Sequence, residues 1–311
     1  MKSFLLLLTM MTVHAGGCST RVTPNAGNTD AGKDTQAQTA LQNQIAQIAA
    51  EAKGHVGVYA VVLETNEMIA SLNARDHYPM QSVYKLPISM ALMNAIDAGK
   101  LKLTDKITIT KSDMVGPDAF SEIRDRHPNG ASMTVEELLR YALIISDGTA
   151  SDVLMRLAGG PAAVQAFLTE LGISEWKVVD TENAFSHNHS LQYRNYATPE
   201  AAVALLRALQ ERRGLSDASR GLILKLITES TTGTKRLKGL LPAGTVVAHK
   251  TGTSGTEKGI AAATNDIGII NLPSGRHLLI AVFVSDSPAD EETREGVIAK
   301  TAKAVWDACA K

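Results

Sequence analysis

The chain has 311 residues, 44% hydrophobic and 20% charged, with 31 Lys+Arg against 32 Asp+Glu for a formal net charge of −1. Such a length can bury a large core and build more than one lobe, and its balanced charge offers no basic footprint for nucleic acid. The two cysteines, Cys18 and Cys309, exclude a cysteine-built zinc site. Once Cys18 is removed or lipidated, they also exclude an intrachain disulfide.

Met1-Lys2, the apolar run FLLLLTMMTV and the small residues before Cys18 predict a secretory signal over residues 1–18, too short for an ordinary membrane span. Ala15-Gly16-Gly17-Cys18 resembles a bacterial lipoprotein processing site, so Cys18 is a candidate lipid anchor, with simple cleavage as the alternative. Residues 19–38 are small and polar and read as a flexible tether.

From residue 39 the chain reads as one folded unit. TALQNQIAQIAAEA (39–52) has helical spacing, and HVGVYAVVLE (55–64) turns into MIASL as a hairpin. Helical patterns dominate from about 83 to 229. They include a capping box at Thr134-Val-Glu-Glu137 and cap-then-proline starts at Gly160-Pro161 and Thr198-Pro199. Strand character returns at 245–252, 259–272 and 277–286, and a helix closes the chain over 290–309.

Two early and three late strands predict a five-stranded antiparallel sheet flanked by helices, an α/β architecture with an all-α lobe inserted. The expected domain is 39–311, its sheet lobe about 39–77 and 230–311 and its helical lobe about 78–229. A site is expected in the groove between them.

Three short motifs carry chemistry. In QSVYKLP (81–87), Ser82 and Lys85 stand three apart at a helix start, on one face, where free N–H groups favour an anion at the serine oxygen. A lysine is a base only when neutral, which burial promotes. Alone the pair is weak, because Ser174-Glu-Trp-Lys177 has the same spacing. Ser-Asp is also cheap, occurring five times, but Ser146-Asp147-Gly148 follows a helical run, and Lys250-Thr251-Gly252 is the only Lys-[Ser/Thr]-Gly in the chain. Ser-x-x-Lys, Ser-Asp and Lys-Thr-Gly in this order form the signature of penicillin-recognising serine enzymes.

From about residue 40 to its end the chain resembles class A β-lactamases. The resemblance implies a roster of roles. Ser82 attacks the lactam carbonyl, Lys85 or Glu182 takes its proton, and backbone N–H groups of Ser82 and Thr253 hold the oxyanion. Ser146, supported by Lys250, protonates the leaving nitrogen, and Thr251 with Lys250 binds the substrate carboxylate. Glu182, 17 residues before Pro199, stands at the family's spacing for the loop glutamate that activates the deacylating water. Arg236 and Thr232 match carboxylate-side contacts, and Thr253-Ser254 flank the substrate.

The sequence also departs from the family. Gly148 stands where an asparagine usually holds the substrate, and Ser186 where an asparagine usually supports the water. Asp180 and Asn195 replace an Arg–Asp pair at the ends of the Ω-loop, and Asp152 is expected to hydrogen-bond Asn195. These exchanges, with Gln192-Tyr193-Arg194-Asn195, resemble the PER- and CfxA-like branch and imply a preference for bulky cephalosporins. The resemblance implies an exported, periplasmic monomer acting on small-molecule β-lactams, with no metal or other cofactor.

Rival readings are weaker. His187-Asn-His189 is spaced like a metal-ligand pair, but no His-Glu-x-x-His accompanies it, and no Gly-x-Ser-x-Gly marks an α/β-hydrolase. A D,D-peptidase or a penicillin-sensing protein shares the three motifs. Neither gives a reason for Glu182.

Overall fold

The computed structural model describes Met1 and residues 30–310, with side chains from residue 36 apart from those of His187 and His189. The expected signal, Cys18 and most of the tether lie outside the described residues. Among the described residues, those from Gln38 onward form one compact unit. Helix α1 spans Asp30–Ala50, so the last nine residues of the expected tether are helical. They are polar but free of proline and carry alanines and glutamines, which favour helix, so polarity there did not mean loop.

The early strands are β1 (His55–Val62), β2 (Glu67–Leu72) and the short β3 (Tyr78–Pro79). A 3-10 turn over Gln81–Tyr84 leads straight into α2 (Lys85–Asp97). The middle block then runs β4 (Lys106–Ile109), α3 (Glu122–Arg126), β5 (Ala131–Thr134), α4 (Val135–Ile144), α5 (Gly148–Leu157), α6 (Pro161–Glu170) and β6 (Trp176–Lys177). It continues through α7 (Glu182–His187), β7 (Tyr196–Ala197), α8 (Pro199–Gln210) and α9 (Asp217–Thr228). The late elements are β8 (Val247–Thr253), β9 (Thr256–Glu257), β10 (Ile260–Asn271), β11 (His277–Ser287) and α10 (Glu291–Cys309).

The five long strands form the expected antiparallel sheet in the order β2-β1-β11-β10-β8, and the short β9 pairs with β10. Alternation along β11 sorts its side chains. Leu278, Ile280, Val282 and Val284 join Ile45 of α1 and Val297 and Val305 of α10 on one face. Leu279, Ala281 and Phe283 join Leu138 and Leu205 of the helical block on the other. Covering both faces explains why β11 reads as a nearly continuous apolar run over 278–284. Residues from either side of the positions 78 and 229 pack together in the cluster on the second of these faces, among them Val61, Leu138 and Phe283.

The middle block is less purely helical than its pattern. β4 and β5 pair antiparallel across the segment that carries α3, with Lys106 opposite Thr134, and β3, β7 and β6 form a small sheet. Runs of two to four residues are too short to show a period of two. The Thr134–Glu137 capping box is present, and the Thr198 side chain caps α8 with Pro199 at its first turn.

The topology matters for chemistry because β8 is a sheet edge. A Cβ on Gly252 would collide with the Met80 carbonyl and crowd Val83. Glycine there lets the edge strand close on the 3-10 turn that carries Ser82.

Candidate active site

Ser82 sits in the 3-10 turn and Lys85 at the first position of α2. The residue before the serine, Gln81, has φ +49°, a left-handed conformation that strains a non-glycine residue. Gln81 Nε2 donates to Gln192 Oε1 at 2.6 Å, which pins this turn to the loop that carries Glu182.

Asp147 explains the position of Ser146. Its fully buried carboxylate accepts the backbone N–H groups of Ala150 and Ile123, at 2.9 Å each, and the Ser121 hydroxyl at 3.1 Å. Burial raises the Asp147 pKa, against the pull of those hydrogen bonds. Asp147 thus caps α5 and ties down the loop before α3, while Ser146 is left at φ +67° between α4 and α5. Ser146 then bridges two lysines. Its carbonyl accepts Lys85 Nζ at 2.7 Å, and its hydroxyl accepts Lys250 Nζ at 2.9 Å.

Lys250 projects from β8 and is completely buried. Burial, then the charge of Lys85, hold its pKa well below the ordinary lysine value, with Asp266 and Glu182 pulling the other way. Thr251, next on the strand, shares a 2.7 Å hydrogen bond with Thr232.

Glu182 opens α7, and the Thr181 side chain caps that helix. Its carboxylate turns inward: Oε1 lies 2.9 Å from Lys85 Nζ and accepts from Ser82 Oγ at 3.5 Å. Below it, Asp152 accepts the backbone N–H groups of Glu182 and Asn183 at 2.8 Å each. Burial first, then the Glu182 charge, push the Asp152 carboxyl up to about 7.

These groups meet in a cavity of about 360 Å³ lined by Ser82, Lys85, Ser146, Glu182, Thr251 and Thr253, among others. Ser254, Thr232, Arg236 and Ser186 line it as well. Phe120, 59% exposed, also lines it, as do Gln81 and Gln192. Phe120 was not singled out from sequence, and Gln192 only as part of the run 192–195, since nothing local places residue 120 or 192 near residue 82.

The Gly148 N–H donates to the Phe120 carbonyl at 2.9 Å, and a Cβ there would sit 3.1 Å from that oxygen. Several expectations need correction. Asp152 does not bond Asn195, because the start of α7 offers it two N–H groups instead. Asn195 accepts from the N–H groups of Val179 and Asp180, at 2.7 and 3.0 Å, and donates to the Asp180 carbonyl at 2.8 Å.

Asp180 does have a cationic partner, Arg194 at 3.3 Å, one residue from the position considered. Arg236 is turned largely into the protein. It donates to Glu295, to the carbonyls of Gly252 and Asn265, and to Thr253 Oγ1 at 2.8 Å. Ser186 gives its proton to the Asn183 carbonyl and accepts the Gly116 N–H, so toward a water it acts as an acceptor. The side chains of His187 and His189, weighed as a metal-ligand pair, lie outside the described residues.

The comparisons agree with this geometry. A family described as "Beta-lactamase enzyme family" matches residues 40–309. The chain is 39% identical over 274 residues to the extended-spectrum β-lactamase PER-1 of Pseudomonas aeruginosa, covering 88% of this chain and 89% of that one. It is 42% identical over 238 residues to β-lactamase VEB-1 of Pseudomonas aeruginosa, covering 76% and 79%. The crystal structure of a β-lactamase from Chitinophaga pinensis superposes with a TM-score of 0.84 at 42% identity, covering 87% of this chain and 99% of that one. The chain belongs to the β-lactamase enzyme family and is a PER-like class A serine enzyme.

Proposed function

We propose that this β-lactamase opens the lactam ring through an acyl-enzyme on Ser82 and frees that serine with a water activated by Glu182. The observation that carries the reading is the placement of one oxygen, Glu182 Oε1, against both Lys85 Nζ at 2.9 Å and Ser82 Oγ at 3.5 Å. The Ser82 proton passes to this coupled pair as the oxygen attacks. Backbone N–H groups of Ser82 and Thr253 receive the oxyanion. Ser146, whose hydroxyl is held by Lys250, hands a proton to the departing nitrogen.

Thr232, Thr251 and Thr253 meet the substrate carboxylate, and Arg236 acts through Thr253 rather than by direct contact. In the second half-reaction Glu182 takes a proton from water while Ser186 accepts a hydrogen bond from it. Gly148, with no side chain, and a loop closed by Asn195 and the Asp180–Arg194 pair leave the side-chain end of the substrate unclasped. That supports a preference for bulky oxyimino-cephalosporins over penicillins. Steady-state kinetics test both parts. Nitrocefin is expected to turn over many times per enzyme, with kcat/KM for oxyimino-cephalosporins above that for penicillins. Stoichiometric trapping of the drug would contradict hydrolysis, and a penicillin kcat/KM far above the cephalosporin value would contradict the preference.

Export to the periplasm is part of the same reading, supported by the charged, apolar and small-residue order of residues 1–18. Among the described residues no helix is long and apolar enough to cross a membrane. Intact mass of protein from the membrane fraction tests lipidation of Cys18.

A further inference from the structure

Two hydroxyls beneath Glu182 play no part in the steps above. Tyr84, between Ser82 and Lys85, is fully buried. Its ring lies against Phe185 with centroids 6.1 Å apart, and Phe185 is one turn along α7 from Glu182. Ser151 and Asp152 follow each other on α5, and Asp152 holds the N–H groups of Glu182 and Asn183, so all of them gather around this ring. Burial, then the charges of Glu182 and Asp152, hold its pKa well above the ordinary tyrosine value. The Tyr84 hydroxyl and Ser151 Oγ, both shut off from solvent, reach no partner with hydrogen-bond geometry in this conformation, although Ser151 and Glu182 stand close enough to act on the phenol.

A buried hydroxyl without a partner is unfavourable, and phenylalanine with alanine would fill the same space without a polar atom to satisfy. The surroundings indicate what the hydroxyls serve. Two acids share this pocket, while the cation in direct contact is Lys85, already held by the Ser146 carbonyl. Before acylation Ser82 donates to Glu182 Oε1. Esterification of Ser82 removes that donor at the moment when Glu182 must orient a water.

We propose that Tyr84 is a positioning residue for Glu182, its phenol, backed by Ser151, donating to the glutamate carboxylate in the acyl-enzyme and holding it on the hydrolytic water. The inference rests on Glu182 as the deacylating base.

The test compares Tyr84→Phe, Ser151→Ala and the double variant with wild type and Glu182→Gln, using nitrocefin burst kinetics and intact-protein mass spectrometry. Tyr84→Phe is expected to acylate at the wild-type rate and deacylate about tenfold more slowly, the worth of one hydrogen bond to a charged group. Its kcat and KM then fall together, kcat/KM holds, and the acyl adduct accumulates. The double variant is expected to be no slower than Tyr84→Phe, because the two hydroxyls act in series. A Tyr84→Phe enzyme with wild-type kcat, beside a Glu182→Gln enzyme that traps the drug, overturns the inference alone. So does a loss of kcat/KM in parallel with a loss of Tm, which marks a packing role. A Glu182→Gln enzyme that turns over like wild type overturns the reading beneath it.

Discussion

Glu182 and Lys85 are buried as an ion pair, 2.9 Å apart, with side chains 11% and 2% exposed. Removing one partner of such a pair strands a charge in a low-dielectric site and destabilises by roughly 3–5 kcal/mol. The pair persists here because further groups share the load: the Ser146 carbonyl on the lysine, the Ser82 hydroxyl on the glutamate. The proposed chemistry and the stability are thus drawn from the same few atoms.

Arg236 illustrates the same economy on the far side of β8. Its fork reaches Glu295, two carbonyls and Thr253 at once, a geometry that a lysine cannot copy. Arg236→Ala is expected to raise KM for carboxylate-bearing substrates about tenfold, by releasing Thr253, and to lower stability by roughly 3 kcal/mol, by stranding Glu295. Arg236→Lys is expected to restore neither fully. Steady-state kinetics with urea unfolding check this, and an unchanged KM would show that Thr253 needs no such support.

Asp152 makes stability depend on pH in a defined direction. Its carboxyl, normally near 3.8, is raised to about 7 by burial and by Glu182. The folded protein holds that proton across this window while the unfolded chain has released it. The contribution is therefore full below about pH 4 and is lost as pH rises through about 7. Asp152→Asn cannot titrate, and its one carbonyl replaces two oxygens that serve Glu182 and Asn183. The variant is expected to be less stable than wild type at pH 5 and to regain on the order of a few kcal/mol, relative to wild type, by pH 8. Parallel stability curves for the two proteins would contradict the shift.

Phe120 is exposed at the cavity, while its carbonyl anchors Gly148 at 2.9 Å. Phe120→Ala removes the ring and keeps the anchor. For substrates with aromatic side chains KM is expected to rise about fivefold, with kcat and Tm unchanged. A matching loss for substrates without such side chains would mean that the ring supports the loop rather than the ligand.

How much of this was legible in the sequence depended on whether a residue's place is set locally. Ser82 and Lys85 share one turn, Lys250 and Thr251 share one strand, and their order with Ser146 identified them before any contact was known. Glu182 was singled out by its spacing to Pro199, and the structure places it beside Lys85 and Ser82. Asp152 and Phe120 were misjudged or missed because their surroundings come from other segments. The Phe120 carbonyl meets the Gly148 N–H, and α7 presents its first N–H groups to Asp152. Gly252 was legible as part of a motif, whereas its reason, the close passage of the Met80 carbonyl, is purely tertiary. Helix caps at Thr134 and Thr198 were readable because each lies within four residues of chain.

The most direct measurement is the fate of the acyl-enzyme in Glu182→Gln, followed by intact-protein mass spectrometry during nitrocefin turnover. The amide keeps the shape and removes the base, so acylation is expected to proceed while deacylation falls at least about a hundredfold. A stable adduct of one drug per enzyme is the expected result. Wild-type turnover by Glu182→Gln, with no adduct, would contradict the assignment of water activation to this carboxylate.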